Sequence, residues 1–515
     1  MPNLILETPV KLRLPPSWGE GKIYQELQDL LGYEDLGVVH QWRIWKKALA
    51  QSERAIASGN RPHWFAQKYG LEALKEKVAQ LDQERGQSLL FKDDQGLWTC
   101  SGMAQELQER FGVGLERQFE LPKFGLIPWE KKPEHILRLF QEKTLDLFMG
   151  ATKTTGLGAA EIGTGLGKSL IIVYLLKQIG LPAVVVTPTL SIAEQLLKDM
   201  TEAFGLGRVG QYFGGKKQPQ KMFVVSVAKS LMNCVEGEGG TELLKGKKVL
   251  IGDESHLLPA ESLKQVVLGL LSSAPFRFFL SGTQIRGDGL GLLLQGIVGP
   301  ILLEMSVAQG IDQGFLSPLK FFQYRITSDS NLMVDDVIKM NRVHLHQNSA
   351  IYRHAADLIN RAVKERGRKV LVLVDTVDQY KRLIDGGIMV DSRFAHGPLS
   401  DNRDTVPESQ WKLKPMDLVR EFDLGKFPVL VGTGAVSIGT DIRSADFLIN
   451  LVGLSSEVET RQGIGRGTRL FPGKVNTIVV DYDVWNNPVT HRHALKRKKI
   501  YNEVYGECKV LDARI

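Results

Sequence analysis

Cysteine is scarce in this sequence, with 3 residues in 515, at Cys100, Cys234 and Cys508. They lie far apart, and none belongs to a Cys-x-x-Cys pair. Structural zinc sites and iron–sulfur clusters usually need about four clustered ligands, so the sequence predicts neither. A framework of disulfides is not expected either, and the pattern fits a reducing cytoplasm.

Long apolar segments are also lacking. No stretch reaches the roughly 18 consecutive apolar residues of a membrane span, and the N-terminus has no continuous apolar core like that of a signal peptide. The most apolar region, residues 290–303, is interrupted by Gln295, Gly296, Gly299 and Pro300, and we expect it to be one buried amphipathic helix. The sequence therefore predicts a cytoplasmic protein without a membrane partner.

The overall composition is that of a globular chain with several domains. Apolar residues make up 43% and charged residues 24% of the sequence, which is enough for a large core. The formal net charge is +7, a mildly basic value that suits a polyanionic partner but is shared by many proteins without one. At about 150 residues per domain, the length predicts about three domains.

The character of the sequence changes along the chain. Its first part has helical stretches rich in Glu, Gln and Lys at 72–85 and 103–111, and a strand-like segment at 88–98 that a turn interrupts. Two series of short β-branched runs alternating with amphipathic helices follow, which is typical of doubly wound α/β domains with parallel sheets. We expect their strands at 183–186, 223–225, 248–251 and 278–280, and then at 370–374, 429–431, 447–450 and 477–480.

These patterns divide the chain into four parts. Residues 1–130 are a mostly helical N-terminal accessory region, 131–318 and 319–486 are the two α/β domains, and 487–515 are a basic helical tail. Contact with DNA and a solvated helix face explain the tail equally well.

The strongest local signal is the segment Gly163-Thr164-Gly165-Leu166-Gly167-Lys168-Ser169. It follows a strand predicted at 157–162 and precedes a helix predicted at 170–178. Glycines let backbone N–H groups curl around phosphate oxygens, and the helix points its positive end at them. Lys168 is expected to reach the β- and γ-phosphates of a nucleotide, and Ser169 to bind Mg²⁺. The loop is the shorter Gly-x-Gly-Lys-Ser form, because Ile162 stands where the longer pattern has glycine.

Two adjacent carboxylates, Asp253 and Glu254, follow the strand predicted at 248–251. The carboxyl ends of strands are where α/β domains bind ligands. Asp253 is expected to hold the magnesium ion, and Glu254 to orient and deprotonate the attacking water in phosphoryl transfer. An exposed acidic turn is the alternative, but the order of phosphate loop, apolar strand and paired acids favours a site that hydrolyses ATP with Mg²⁺.

With these two motifs in place, the stretch 131–483 resembles the superfamily 2 helicases. The segment Leu-Arg-x-Phe-Gln is similar to the family's adenine-recognition element, which implies that Arg138, Phe140 and Gln141 contact the nucleotide. The acidic segment Asp-Glu-Ser-His is a DExH box, which adds His256 to the catalytic residues that the resemblance implies.

Other segments resemble the remaining motifs in family order. Ser281–Thr283 is similar to motif III, which couples hydrolysis to nucleic-acid binding in the family. The segment that contains Gly439 and Asp441 resembles motif V, which implies a nucleotide contact at both residues. The resemblance implies nucleic-acid contacts at Thr187, Pro188, Ser226 and Thr433.

The last motif is Gln462-Gly463-Ile464-Gly465-Arg466-Gly467-Thr468-Arg469, which fits QxxGRxxR, motif VI, at every defining position. Gln462, Arg466 and Arg469 are spaced i, i+4 and i+7, so we expect them on one helix face. Each glycine would cost a helix about 1 kcal/mol, so close backbone approach at a domain interface explains them better. Arginine stays ionised and is forked, so Arg466 and Arg469 are expected to be arginine fingers that make hydrolysis depend on closure of the cleft between the domains.

The resemblance implies two tandem RecA-like domains and an ATP-driven motor on nucleic acid. The DESH box, the adenine element and the compact second domain look most like DNA-acting relatives of the UvsW and XPB types, in a bacterial or phage-infected cell. That implies DNA, single-stranded or branched, as the substrate. An RNA helicase is the main alternative, and translocases or ATP-gated sensors that do not separate strands share these motifs.

The N-terminal region resembles no family. A helix-turn-helix starting at residues 103–114 is possible from the sequence, but a helical packing module is favoured. A role in recognising the substrate rests on the position of this region alone.

Overall fold

The computed structural model describes residues 3–235, 243, 246–254, 274–282, 290–332, 336–396, 415–433, 442–453, 460, 464–465 and 467–513. The chain divides into two units. The first comprises Met1–Glu161 and Ser169–Glu304, and the second comprises Ile162–Lys168 and Met305–Ile515. Most of the predicted phosphate loop therefore groups with the second unit.

The first unit begins with helices and a small mixed sheet. The strands are β1 (Leu4–Leu6), β2 (Lys11–Arg13), β3 (Gly32–Glu34), β4 (Gly86–Ser88), β5 (Phe91–Asp93), β6 (Gly96–Cys100) and β7 (Leu115–Arg117). The helices are α1 (Gly21–Leu31), α2 (Leu36–Ala57), α3 (Trp64–Tyr69), α4 (Leu71–Arg85) and α5 (Ala104–Phe111). Over the described residues, five strands pair in the order β5-β6-β2-β1-β7, and β3 pairs with β4 alone.

The secondary structure confirms several predictions for the N-terminal region. The helices predicted at 72–85 and 103–111 are α4 and α5, and the strand-like segment contains the hairpin β5–β6. The helix-turn-helix alternative is wrong, because α5 ends at Phe111, Gly112 after it has a left-handed φ of 63°, and strand β7 follows. The rest of the small sheet was not predicted, because strands of three residues are too short to show alternation.

The first unit continues with a doubly wound sheet. Its strands are β8 (Leu157–Ile162), β9 (Ala183–Thr187), β10 (Val209–Phe213), β11 (Lys216–Lys217), β12 (Phe223–Val227), β13 (Val249–Asp253), β14 (Phe276–Ser281) and β15 (Ile301–Met305). The helices are α6 (Leu139–Ala151), α7 (Lys168–Ile179), α8 (Leu190–Phe204), α9 (Ala228–Val235) and α10 (Gly291–Val298). The strand order over the described residues is β11-β10-β12-β9-β13-β14-β8-β15. Neighbours from β10 to β8 in this order pair in parallel, as the apolar runs indicated.

The apolar region at 290–303 is not one helix. Helix α10 ends at Val298, and strand β15 begins at Ile301. Gly299 lies between them with a φ of 85°, and Pro300 follows, so the chain cannot continue as a helix. The prediction of a single helix is therefore wrong in its second half.

The small N-terminal sheet packs directly on the larger sheet of the same unit. Their apolar side chains form one core, which includes Leu4 and Leu12 from the first part and Val184 from the second. Arg277 of β14 is fully buried between them and donates hydrogen bonds to the carbonyl of Pro9 and to the Ser101 hydroxyl. Removing the whole N-terminal region would therefore expose a core rather than detach a module.

The second unit is another doubly wound domain. Its strands are β16 (Leu319–Ile326), β17 (Val370–Leu373), β18 (Ser392–Ala395), β19 (Val429–Gly432), β20 (Phe447–Asn450), β21 (Thr477–Val484) and β22 (Cys508–Asp512). The helices are α11 (Val307–Asp312), α12 (Val337–Asn341), α13 (Ser349–Arg366), α14 (Asp378–Asp385), α15 (Pro415–Asp423) and α16 (Pro488–Val504), and Arg342–His346 is a π-helical turn. Over the described residues, the strands pair in parallel in the order β18-β19-β17-β20-β21-β16-β22.

The C-terminal tail is part of this second sheet. It consists of α16 followed by β22, which pairs with β16 at the edge of the sheet. No helix in the part of the chain that the structure describes is long and apolar enough to cross a membrane.

Candidate functional site

The predicted phosphate loop lies between a buried strand and the start of a helix. β8 ends at Ile162 and α7 begins at Lys168. Gly165 and Gly167 have φ values of 93° and 86°, which L side chains rarely adopt. The Lys168 ammonium donates a hydrogen bond to the Ile162 carbonyl oxygen at 3.2 Å. The chain therefore curls around this lysine, with Ser169 in the first turn of α7 at its positive end.

The described residues of motif VI lie against this loop, and both belong to the second unit. A Cβ on Gly165 would be 3.1 Å from Nη1 of Arg469, and a Cβ on Gly465 would be 2.9 Å from Cβ of Thr164. Both glycines thus permit a close approach, which is the role predicted for the glycines of motif VI. Arg469 brings a guanidinium to the loop that is expected to hold phosphates.

The helical arrangement expected for this motif is wrong for Arg469. Ile464 and Gly465 are helical, but Gly467 and Thr468 form a turn, and Arg469 lies beyond it in neither helix nor strand. The turn is closed by a hydrogen bond from the Thr468 N–H to the Gly465 carbonyl at 3.3 Å. It is this turn, and not a helix face, that carries Arg469 to the loop.

The two predicted carboxylates lie at the carboxyl end of β13. Asp253 is the last residue of the strand and is 4% exposed. Glu254 follows with a φ of 49°, a left-handed conformation that is strained for a residue with a side chain. Its N–H donates to Asp253 Oδ1 at 3.1 Å, and its Oε2 accepts from the Gly282 N–H at 3.2 Å. The strained turn therefore holds the Glu254 carboxylate against the first residues of the motif III segment.

Sheet order relates these acids to the phosphate loop. Strand β14 lies between β13 and β8, and the three strands are parallel. Their carboxyl ends therefore share one edge of the sheet, and the loop begins there at the end of β8.

The side chains present fit a nucleotide with Mg²⁺. In the second unit, the loop offers backbone N–H groups and Lys168 to phosphate oxygens. In the first unit, the Ser169 hydroxyl and the Asp253 carboxylate each offer an oxygen ligand to Mg²⁺. Among the described residues, no group of three or more His, Cys, Asp or Glu side chains could hold a metal ion. That is compatible with Mg²⁺, which usually takes only one or two carboxylates beside phosphate and water oxygens.

The adenine element lies at the start of α6, with its key side chains turned inward. Gln141 is 2% exposed, and its Oε1 accepts a hydrogen bond from the Arg138 N–H at 2.9 Å. Phe140 is buried too, while Ile136 and Leu139 project into solvent. Contact of adenine with Arg138, Phe140 and Gln141 stays a prediction. Ile136 and Leu139 are exposed apolar side chains at this element that the sequence did not single out.

Two predicted nucleic-acid contacts have hydroxyls that are already bonded. Thr187 is the last residue of β9, Ser226 is the last but one of the adjacent strand β12, and both are fully buried. The Thr187 hydroxyl donates to the Thr189 carbonyl at 3.1 Å, and the Ser226 hydroxyl lies 3.3 Å from the Tyr212 carbonyl oxygen. Direct phosphate contact by these hydroxyls therefore does not fit the structure, because neither reaches solvent. Pro188 and Thr433 are half-buried, and their contacts stay predictions.

Five predicted site residues lie outside the described residues. They are His256, Gly439, Asp441, Gln462 and Arg466.

The sequence did not reveal how the chain leading to motif VI is held. Residues 451–453, here called the β20 exit, follow β20 directly. The carbonyl of Leu451 accepts a hydrogen bond from Gln379 Nε2 at 2.9 Å. The carbonyl of Val452 accepts from Asn341 Nδ2 at 3.0 Å and from His346 Nε2 at 2.9 Å. These buried donors come from three places in the chain, so only the folded structure shows them together.

The third carbonyl of the β20 exit, that of Gly453, accepts a hydrogen bond from Arg497 of α16. Arg497 is 1% exposed and also forms two hydrogen bonds with Asp481, at 2.8 and 3.0 Å. The Tyr501 hydroxyl donates to the same carboxylate at 2.9 Å. Arg497 of the basic tail therefore belongs to the protein interior and does not lie on a solvated helix face.

Replacing Arg497 by methionine is expected to destabilise the second unit by about 3–5 kcal/mol, because it leaves the buried Asp481 carboxylate without its cation. Chemical denaturation would measure the loss. The matched control is Arg492→Met on the exposed face of the same helix, which should change stability by about 0.5 kcal/mol or less. Equal unfolding midpoints for the two variants would contradict this role of Arg497.

Lys474 also supports the turn that carries Arg469. Its ammonium donates to the carbonyl of Gly467 at 2.7 Å. Burial lowers the pKa of Lys474 to about 8. No pattern in the sequence singled out this lysine beyond its place after motif VI.

Several known proteins are similar to this chain. Residues 134–286 match the family described as type III restriction enzyme, res subunit. The chain is 21% identical over 388 residues to helicase 22 of Sulfolobus islandicus filamentous virus (isolate Iceland/Hveragerdi), over 72% of this chain and 68% of that protein. It is 23% identical over 383 residues to ATP-dependent RNA helicase L396 of Acanthamoeba polyphaga mimivirus, over 71% and 68% of the two chains. A shorter match, 26% over 154 residues, covers 30% of this chain and 33% of the DNA 3′-5′ translocase XPB2 of Sulfurisphaera tokodaii.

Solved structures share the fold. A fragment of an HsdR subunit of a type I restriction enzyme from Vibrio vulnificus matches with a TM-score of 0.54 and 16% identity, over 75% of this chain and 70% of that one. Dbp5 of S. cerevisiae, bound to RNA and ADP BeF3, matches with a TM-score of 0.51 and 14% identity, over 73% and 90% of the chains.

The fold, with its two RecA-like domains, and the motifs are similar to those of the superfamily 2 helicases. The recognition of this class from the motifs is confirmed. These helicase relatives imply an enzyme that hydrolyses ATP and acts on nucleic acid.

Proposed function

We propose that this protein is an ATP-dependent DNA helicase or translocase, which couples ATP hydrolysis to movement along DNA and to its unwinding or remodelling. The observation that carries the proposal is the approach of Arg469 to the phosphate loop at Gly165. Arg469 belongs to a motif that is far from the loop in the sequence. Its place beside the loop fits an enzyme in which ATP hydrolysis depends on the conformation of the protein.

Five of the described site residues have a proposed part in hydrolysis. Lys168 binds the β- and γ-phosphate oxygens, and Ser169 and Asp253 hold Mg²⁺, which neutralises phosphate charge when it is bound. Glu254 orients the attacking water and takes its proton. Arg469 stabilises the charge that develops on the transferred phosphoryl group.

Movement is proposed to follow from differential binding. A bound nucleotide that contacts both the loop and Arg469 favours one conformation of the protein. Loss of these contacts after hydrolysis favours another conformation. The hydrogen bond from the Gly282 N–H to Glu254 links the water-activating carboxylate to the motif III segment.

We propose DNA, including branched DNA in repair, recombination or replication, as the substrate. The support is the restriction-enzyme family that matches residues 134–286 and the similarity to XPB2, a DNA translocase by name. RNA is the second candidate, because the viral relative L396 is named an RNA helicase.

Strand displacement tests this proposal. We expect ATP-dependent displacement from forked DNA, with little displacement from an RNA duplex of the same sequence. Lys168→Ala should abolish it, because the γ-phosphate loses its cation. Lys177→Ala, a half-buried lysine on the same helix, is the matched control and should retain it.

Two outcomes would overturn this assignment. Displacement of RNA alone would make the protein an RNA helicase. ATP hydrolysis stimulated by DNA, with no displacement of a duplex strand or of a triplex third strand, would make it an ATP-gated sensor.

A further inference from the structure

Helices α2, α3 and α4 form an arm inserted between two paired strands. β3 and β4 pair with Glu34 opposite Gly86, and the Asp35 N–H donates to the Arg85 carbonyl at 3.0 Å. The arm, residues 36–84, therefore leaves and re-enters the first unit through a single hairpin stalk. It has a small core of its own, whose buried residues are Ala48, Ala66 and Leu74.

The arm is held together by aromatic side chains and by helix capping. Trp45 of α2 contacts Phe65 and Tyr69 of α3, with ring centroids 4.7 and 5.9 Å apart. The Asp35 carboxylate caps α2 by accepting from the Gly37 N–H at 2.8 Å. The buried Ser52 hydroxyl accepts from the backbone N–H of His63, the residue before α3. These contacts give the arm a fixed shape on its stalk.

One face of α2 carries a row of basic side chains. His40, Arg43, Lys47 and Arg54 are spaced i, i+3, i+7 and i+14, so they share one side of the helix, and all four are exposed. The row extends over about 21 Å of helix. We call it the α2 basic face.

These cations differ from Lys75 and Arg85 on α4. Of the described residues, none forms an ion pair with Arg43, Lys47 or Arg54. On α4, in contrast, Lys75 pairs with Glu72 and Arg85 pairs with Asp82, both at 2.8 Å. The α2 basic face is therefore open to an external anion.

Exposed aromatic rings lie on the same arm. Trp64 is 57% exposed and Tyr69 is 48% exposed, both on α3. An arm that exposes both aromatic rings and unpaired cations has the composition of proteins that bind nucleic acid, where cations meet phosphates and rings stack on bases.

We propose that the α2 basic face binds the phosphate backbone of the nucleic acid on which the motor acts. The inference rests on the proposed function for the choice of polyanion, and on charge complementarity for its place on the arm. Such contacts hold the substrate without reading its sequence. The arm thereby adds a binding surface outside the helicase motifs.

The salt dependence of DNA binding tests the α2 basic face. In duplex DNA, each lost phosphate contact lowers the slope of log K against log salt by about 0.9. Arg43→Gln with Lys47→Gln should therefore reduce the slope for forked DNA by about 1.8. The matched control, Lys75→Gln with Lys77→Gln on α4, removes the same charge from the other side of the arm and should change the slope by less than half as much.

A second variant removes the arm without touching the shared core. Because Asp35 and Arg85 already face each other, the two residues Asn-Gly can replace 36–84 as a tight hairpin turn. We expect affinity for forked DNA at physiological salt to fall at least tenfold. Near-UV circular dichroism and the unfolding midpoint would check that the variant is folded.

Three results would overturn the proposal. The first is an unchanged slope of log K against log salt in the Arg43/Lys47 variant, together with an unchanged DNA affinity of the folded armless variant. It would show that the arm has no part in DNA binding, and it would leave the proposed motor function intact. Failure of the unaltered protein to bind any nucleic acid would overturn the proposed function as well. A dimer that the armless variant cannot form, with normal DNA binding, would assign the surface to a second copy of the chain.

Discussion

Replacing Arg469 by alanine is expected to lower kcat for ATP hydrolysis about a thousandfold, because arginines beside a transferring phosphoryl group supply about 10³ to 10⁵ in rate. The expectation rests on the 3.1 Å between Arg469 Nη1 and the Cβ position of Gly165. Binding of ATP should be affected far less, since Lys168 and the loop N–H groups are still present.

Two further variants separate this role from a structural one. Arg469→Lys should not restore the rate, because an ammonium cannot bind two oxygens of the phosphoryl group in a fork. Arg382→Ala, an arginine in an exposed pair on α14 of the same unit, is the matched control. Steady-state kinetics with a fluorescent nucleotide for binding would measure both effects. A kcat within fivefold of the unaltered protein would contradict the arginine-finger assignment.

Glu254→Gln is expected to lower kcat by about 10² to 10⁴, the range that a general base usually supplies. The amide oxygen of glutamine can still accept the Gly282 N–H, so the backbone turn should be kept while the base is lost. ATP binding should persist, and the variant should accumulate in an ATP-bound state on DNA.

Glu304→Gln in β15 is the matched control for this variant, because Glu304 is an exposed carboxylate of the same unit. Rapid-quench measurements would separate the chemical step from product release. A Glu254→Gln protein that hydrolyses ATP at the normal rate would show that another group activates the water.

Much of the nucleotide site was accessible from the sequence because its signals are local. A glycine-rich loop, a buried strand before it and a helix after it are consecutive in the chain, and β8 has the predicted bounds. The two acids at the end of β13 are equally local. In both cases short-range backbone geometry decides where the side chains lie.

Other features depended on contacts between distant segments and could not be predicted. The donors to the β20 exit come from α14, from the α12 and π-helical segment and from α16, and no spacing in the sequence relates them. In the sequence, Arg497 is one of several cations in a basic tail. Only the structure shows that it is buried and paired with Asp481. The i+7 spacing of Arg469 was misleading because a turn replaces the helix before it.

The rate of ATP hydrolysis with and without DNA tests the central claim most directly. It should be measured with single-stranded, double-stranded and forked DNA and with RNA, alongside Lys168→Ala. The account predicts that DNA raises the rate several-fold or more, that forked DNA is most effective, and that Lys168→Ala abolishes hydrolysis on every substrate. A rate that no nucleic acid changes would contradict the claim that this chain is a nucleic-acid motor.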